Sequence, residues 1–299
     1  MELWIPITIA AAFLQNLRSV LQKHLQGSLG TRGASFVRFG YGFPVAILYV
    51  AALHVFGGYR LPVANLGFAF WSVVGGLAQI YATMLLVYLF SLRNFTVGTA
   101  YSKTEPMQAA LFGLIILGET LSLGSLIAIL IGVVGVMLIS VARSPLSPSG
   151  LLRSLLSRTA LIGIASGAMF GISAVAYRSA SLSLDGPNAV MQAAFTLVCV
   201  TGFQTLFMLV WMLMADRSEI GKVIRSWRTS SLVGLAGVVG SAGWFTAMTL
   251  QQVAYVRALG QIELVFTFMA SVFLFKEKIN RLEVIGCLLI VSAILLLVL

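Results

Sequence analysis

The sequence predicts an all-α polytopic membrane protein of ten transmembrane helices, arranged as two inverted five-helix repeats. Three observations carry that expectation. Of the 299 residues 59% are apolar and only 9% are charged, and mean hydropathy is +1.00. A soluble domain carries about 25% charged residues, so that class is excluded. Apolar runs of the roughly 20 residues that a bilayer span requires follow one another with short polar connections between them. Finally, the chain resembles itself at a shift of 158 residues.

Taken in order, the runs lie near 3–22, 34–56, 66–91, 96–117 and 121–142, then 159–180, 187–214, 230–251, 254–275 and 281–299. The stretch after Met1 and Glu2 has no basic segment before it and no small-residue cleavage site, and so reads as a true first span. A Pro- and Ser-rich stretch from Arg143 to Arg158 divides the ten runs into fives. The expected organisation is a first repeat over 1–142, a cytoplasmic linker over 143–158 and a second repeat over 159–299. Under the shift, Leu92 meets Leu250, Ala100 meets Ala258, Glu105 meets Glu263 and Glu119 meets Glu277. With only nine acidic residues in the chain, two such coincidences favour a repeat over chance.

An odd number of spans per repeat turns the second repeat upside down, and the basic residues test this. Connections after odd-numbered spans hold Lys23, Arg32, Arg93, Arg143, Arg153, Arg158, Arg217, Lys222, Arg225, Arg228, Lys276, Lys278 and Arg281, against Arg60 and Arg178 on the other side. The net charge of +10 is therefore a topology signal and not a nucleic-acid footprint, and it places both termini outside the cytoplasm. Cys199 and Cys287 sit inside apolar segments, with neither disulfide nor metal-ligand spacing.

The stretch from Ala100 to Gln108, followed by Gly118-Glu-Thr-Leu121 and the Gly132/Gly135 span, recurs as Ala258-Leu-Gly-Gln-Ile-Glu263 followed by Lys276-Glu-Lys-Ile279. On these residues the chain resembles the drug/metabolite transporter superfamily in its ten-span form with two EamA-type repeats, and within it the bacterial aromatic amino-acid exporters. The resemblance implies a basket of helices around a central cavity. It also implies export of amino acids and related metabolites across the bacterial inner membrane by alternating access, with no cofactor. The small four-span multidrug members carry a membrane-embedded Glu in their first helix; here span one offers Gln15, Asn16 and Arg18. That departure counts against their proton-for-cation exchange.

A charge deep in a bilayer costs at least ~2–3 kcal/mol and needs a partner, water or a task. The candidates for gating or coupling are Arg18, Arg38, Lys103, Glu105, Arg257 and Glu263, with Arg178 beside them. One reading makes them two polar layers that close the cavity in alternation; the other has the arginines near helix ends snorkelling and the rest in static salt bridges. Lys103 and Glu105, two apart, lie on different helix faces and so do not neutralise each other. Glu105 and Glu263 are the acidic groups deep enough to carry a proton, while Glu119 and Glu277 read as caps or turn-formers.

Gln15, Tyr81, Tyr101, Trp244, Gln79 and Tyr177 are the candidates for substrate binding. Amides and hydroxyls suit a zwitterion, and aromatic faces suit an apolar side chain. Tyr41, Gln108, Ser173, Gln192 and Gln261 are further polar residues within spans. Glycines at Gly163, Gly167 and Gly171, and at Gly234, Gly237, Gly240 and Gly243, read as close-packing faces. Gly75-Gly76, Pro44 and Pro106 read as candidate bends.

An enzyme is disfavoured because no acid–base pair or metal spacing can be placed, with His24 and His54 both near helix ends. A channel is disfavoured by the lack of a filter-like segment or acidic ring. The expected partners are a small-molecule substrate and the bilayer, for a chain acting as a monomer. The competing transport reading is export of drug-like compounds or of nucleotide- or sugar-type metabolites, with or without proton coupling.

Overall fold

A computed structural model describes residues 2–25, 28–92, 101–142, 156–186, 188–273 and 280–298. Most of the linker lies outside those residues, as do Ala100, Glu277, Arg93, Arg143, Arg153, Lys276 and Lys278. The elements are α1 (Trp4–Leu25), α2 (Thr31–Gly40), α3 (Phe43–Val55), α4 (Leu66–Ser91), α5 (Glu105–Leu117) and α6 (Leu123–Ala142). The second half holds α7 (Arg158–Ser183), α8 (Ala189–Ala215), α9 (Ser218–Arg225), α10 (Trp227–Leu250), α11 (Val253–Leu259), α12 (Ile262–Phe273) and α13 (Arg281–Val298). Among the described residues there is no strand. Among the described residues eight segments are long and apolar enough to cross a membrane, α2 and α3 counting as one. The expected spans four and nine take the form of shorter helices, α5 and the pair α11 and α12.

Side-chain caps fix the starts of the long helices. Asn65 accepts a hydrogen bond from the Phe68 amide at 2.8 Å, Ser157 from Ala160 at 3.2 Å, and Asn188 from Val190 and Met191 at 2.9 and 3.1 Å. The end of α5 is set by Gly118, whose φ of +66° is the left-handed conformation that glycine adopts without a Cβ clash.

The helix pairing follows the repeat. α1 packs on α10, α4 on α7, and α6 on α13. Exchanging the repeats turns span one into six and three into eight, so the first two contacts are equivalent and the third is its own counterpart. Each repeat thus buries its helices mainly against the other.

Small residues permit the approach. A Cβ at Gly135 would meet the Gly286 carbonyl at 2.7 Å, and one at Gly286 would meet the Gly135 carbonyl at 2.6 Å. Gly167 on α7 leaves the same kind of room for the Ser102 carbonyl, and Gly243 on α10 for Ala11. Span three does not break at Gly75-Gly76: α4 is continuous there, and the two glycines accommodate the rings of Tyr177 and Phe203. Pro44 and Pro106 do mark breaks, each just inside the helix that follows one, α3 after Tyr41-Gly42 and α5 after Lys103-Thr104.

The connection between the runs 187–214 and 230–251 contains a short amphipathic helix, α9. Its buried Glu219 accepts hydrogen bonds from the Gly30 amide at 2.9 Å, just before α2, and from Lys222 Nζ at 2.8 Å. Gly33 has no side chain because a Cβ there would lie 2.5 Å from Glu219 Oε2.

Candidate functional site

Spans four and nine are interrupted at positions that the 158-residue shift equates to within one residue: Lys103-Thr104 in the first repeat, Gly260-Gln261 in the second. Each interruption is a tight turn, with the Thr104 amide bonded to the Tyr101 carbonyl and the Gln261 amide to the Ala258 carbonyl, both at 3.1 Å. Past each turn a new helix begins, with Glu105 and Glu263 in the first turns of α5 and α12. A carboxylate there lies beside the unsatisfied amides and the positive end of the helix dipole.

The counter-charges cross between repeats. Lys103 pairs with Glu263, and Arg257 Nε lies 3.0 Å from Glu105 Oε1, close enough for an ion pair though not aligned as a hydrogen bond. Each carboxylate is therefore held by a cation of the other half. Lys103 and Glu105, on different faces, serve different partners. Gln15 Nε2 on α1 donates to Glu263 Oε2 at 3.4 Å. The Arg257 guanidinium stands 4.7 Å from the ring centroid of Trp244, whose edge packs on Gly260, where a Cβ would come within 2.5 Å of it. The turn in span nine is thus sealed by an aromatic side chain that only glycine admits.

A second polar group lies between α4, α7 and α8. Tyr177 donates to Gln79 Oε1 at 3.0 Å, and Gln204 Nε2 donates to Tyr177 Oη, Gln79 Oε1 and the Gly76 carbonyl, each at 3.1 Å. Tyr177 also stacks on Phe245 with centroids 4.3 Å apart. Arg38 donates to Thr83 at 3.1 Å, and Arg18 and Arg38 converge on Gly237 of α10.

A third lies at the end of the molecule away from the linker. Arg178 Nε donates to Glu119 at 2.6 Å, and its Nη1 to the carbonyls of Met248, Thr249 and Gln251 at 2.5, 3.2 and 2.7 Å. Arg178 is thus tied down, not snorkelling, and Glu119 is its ion-pair partner as well as part of the turn after α5.

The expected site residues are therefore divided. Gln15, Trp244, Lys103, Glu105, Arg257 and Glu263 come together at the breaks; Gln79 and Tyr177 form the adjoining amide–phenol group with Gln204; Arg18 and Arg38 lie beside both. Two of the expected residues lie apart from these groups. Tyr81 faces outward, 48% exposed, in a groove with Phe203, Phe207 and Trp211 of α8. Tyr101 is buried instead with Ala160, Met137, Ile164 and Leu282, on the side of spans five, six and ten. On α4 the buried Ser72, Gln79 and Thr83 share one face, and Tyr81 lies on the opposite one. Gln204, Thr83 and Phe245 belong to the site and escaped sequence reasoning; an amide in the middle of an apolar run was the available signal for Gln204. Gln192, at the far end of α8, holds the carbonyls of Leu184 and Gly186.

A sequence model of the EamA-like transporter family matches residues 2–141 and again 157–299. A solved crystal structure, 17% identical, superposes with a TM-score of 0.71 over 98% of this chain and 94% of its own. At that identity the likeness speaks for the fold alone. No curated protein matches the chain.

Proposed function

The chain belongs to the EamA-like transporter family, as a multi-pass membrane protein with two EamA repeats, and from that premise we propose that it exports neutral amino acids, aromatic ones included, and related metabolites by alternating access. The membrane is the bacterial inner membrane, and the Lys/Arg bias puts both termini on its outer side.

The observation that carries this reading is the reciprocal ion pairing at the two helix breaks. Lys103 and Glu105 belong to one repeat, Arg257 and Glu263 to the other, so rocking one repeat against the other separates both pairs together. A closure of that kind is bistable, which alternating access requires. With both carboxylates matched by cations, the layer offers substrate its amides and aromatic faces: Gln15, Gln79, Trp244 and Tyr177. Such a lining suits a zwitterion with an uncharged side chain better than a hydrophobic cation, which needs a free carboxylate.

The test is flux of labelled phenylalanine and of alanine in liposomes containing the purified protein, with and without an imposed pH gradient. Saturable flux of both, with no need for the gradient, is the expected result, because each carboxylate is already neutralised by a cation. Absence of amino-acid flux alongside movement of a cationic drug or a nucleotide-type metabolite would overturn the assignment.

A further inference from the structure

The polar centre of the membrane region carries more positive than negative charge. Among the described residues Arg18, Arg38, Lys103 and Arg257 stand against Glu105 and Glu263, and the two ion pairs consume one cation each, leaving a surplus of two. The surplus resides in Arg18 and Arg38, which are 5% and 6% exposed. Among the described residues neither forms an ion pair with a carboxylate. Arg18 donates only a long 3.4 Å bond to Ser19, and its Nε is buried without a hydrogen-bond partner. Arg38 donates to Thr83. Burying two guanidiniums without counter-charge is among the costliest arrangements a membrane protein can keep, and such groups mark ion or substrate paths.

Resting on the export reading above, we propose that Arg18 and Arg38 form an anion-binding site that takes the carboxylate of the transported molecule. The two lie on neighbouring spans, each ~10 Å by helical rise from the cytoplasmic end of its helix, where a substrate leaving the cytoplasm arrives. A guanidinium presents paired N–H donors that match the two oxygens of a carboxylate. Both side chains run under Gly237, where a Cβ would lie 3.4 Å from Arg38 Cγ and 3.5 Å from Arg18 Cδ. The adjoining cavity, lined by Arg38, Gln79, Thr201, Gln204 and Ser241, measures about 10 Å³. That is room for about one water and too little for a carboxylate. The site therefore fills when α10 withdraws from α1 and α2, which ties anion binding to the motion of span eight. With the carboxylate held there, the side chain of an aromatic substrate reaches Tyr177 and Phe245.

The experiment measures the unfolding temperature of the purified full-length protein with phenylalanine, phenylacetate, phenylalaninamide or sodium chloride, followed by flux in liposomes. Phenylalanine and phenylacetate are expected to stabilise and the amide is not. Arg18→Gln and Arg38→Gln are each expected to abolish that response and to raise KM for phenylalanine about tenfold or more, since a charge-assisted hydrogen bond is worth that factor. Arg38→Lys, which keeps the charge, is expected to recover part of it. Equal stabilisation by acid and amide, or Gln variants that respond like the wild type, would overturn the proposal. So would full stabilisation by chloride to which phenylacetate adds nothing, because the site would then belong to an inorganic ion. If the Gln variants do not fold, the ligand series on the wild type decides. Wild-type protein that moves no phenylalanine yet responds to phenylacetate through these arginines would sink amino-acid export and leave the anion site standing; flux without a carboxylate response would do the reverse.

Discussion

Spans five and ten meet along α6 and α13 through glycine and alkyl side chains, whereas spans four and nine meet at their breaks through charges. At the first contact Gly135 and Gly286 face each other, with Gly132 against Ala293 and Ile139 and Ile290 beside them. At one end Asn280, just ahead of α13, donates to the Ala142 carbonyl at 3.3 Å; along the glycine face close dispersion contact holds the helices, and sliding one past the other loses it everywhere. At the second contact a few groups hold the repeats, and each of them can be served by water or substrate when its partner leaves. One operation relating the repeats thus yields an apolar seam and a charged one, and under the proposed alternating access the second is the one that opens. The difference lies in whether the joined groups have an alternative partner.

That contrast is broken most severely at the seam. Gly286→Leu drives a side chain into the Gly135 carbonyl and Ile139; overpacking of this kind costs about 1–3 kcal/mol or more. The expected result is loss of monodisperse protein after detergent extraction, read by size-exclusion chromatography. Glu263→Gln acts on the other side of the comparison: the protein assembles, but Lys103 loses its counter-charge and phenylalanine flux falls about tenfold or more. The reversed pair, Lys103→Glu with Glu263→Lys, restores part of the flux if the pair is a closure; equal loss in single and double variants would show that position, not pairing, matters. Tyr177→Phe removes the phenol hydroxyl from the group it forms with Gln79 and Gln204, and lowers stability by about 1 kcal/mol, seen as a small drop in unfolding temperature. Smallest of all is Tyr81→Phe, on an outward face, which leaves flux and stability unchanged; a measurable loss would return Tyr81 to the transport path.

The same contrast explains what the sequence disclosed. Apolar runs, the 158-residue likeness and the Pro positions read directly, because span length and interruption each demand particular residue types, whereas Gly75-Gly76 admits neighbouring rings and makes no bend. Pro106 announced the break in span four, but span nine carries no proline, and its break at Gly260-Gln261 was legible only through the repeat. Which cation holds which carboxylate was not legible at all: Lys103 and Arg257 reach across to the opposite repeat, a choice made by packing. The outward face of Tyr81 was legible from Ser72, Gln79 and Thr83, which recur on the opposite side of the same helix. Arg18 and Arg38 were visible as charges, and only the fold showed that Lys103 and Arg257, not they, take the available carboxylates.

The hydrogen bond from Gly30 to Glu219 joins residues 189 positions apart in the chain. At a synthesis rate of about 5–20 residues per second, the amide ahead of α2 waits on the order of ten seconds or more for its acceptor to leave the ribosome. The partner of α1 is made later still, since α10 follows α9. During that interval the first half must reside in the bilayer with its inner faces uncovered and Arg18 and Arg38 short of the helix that shields them. The insertion machinery therefore has to hold an unfinished half in place until its counterpart arrives, and the two halves complete their folding as one event.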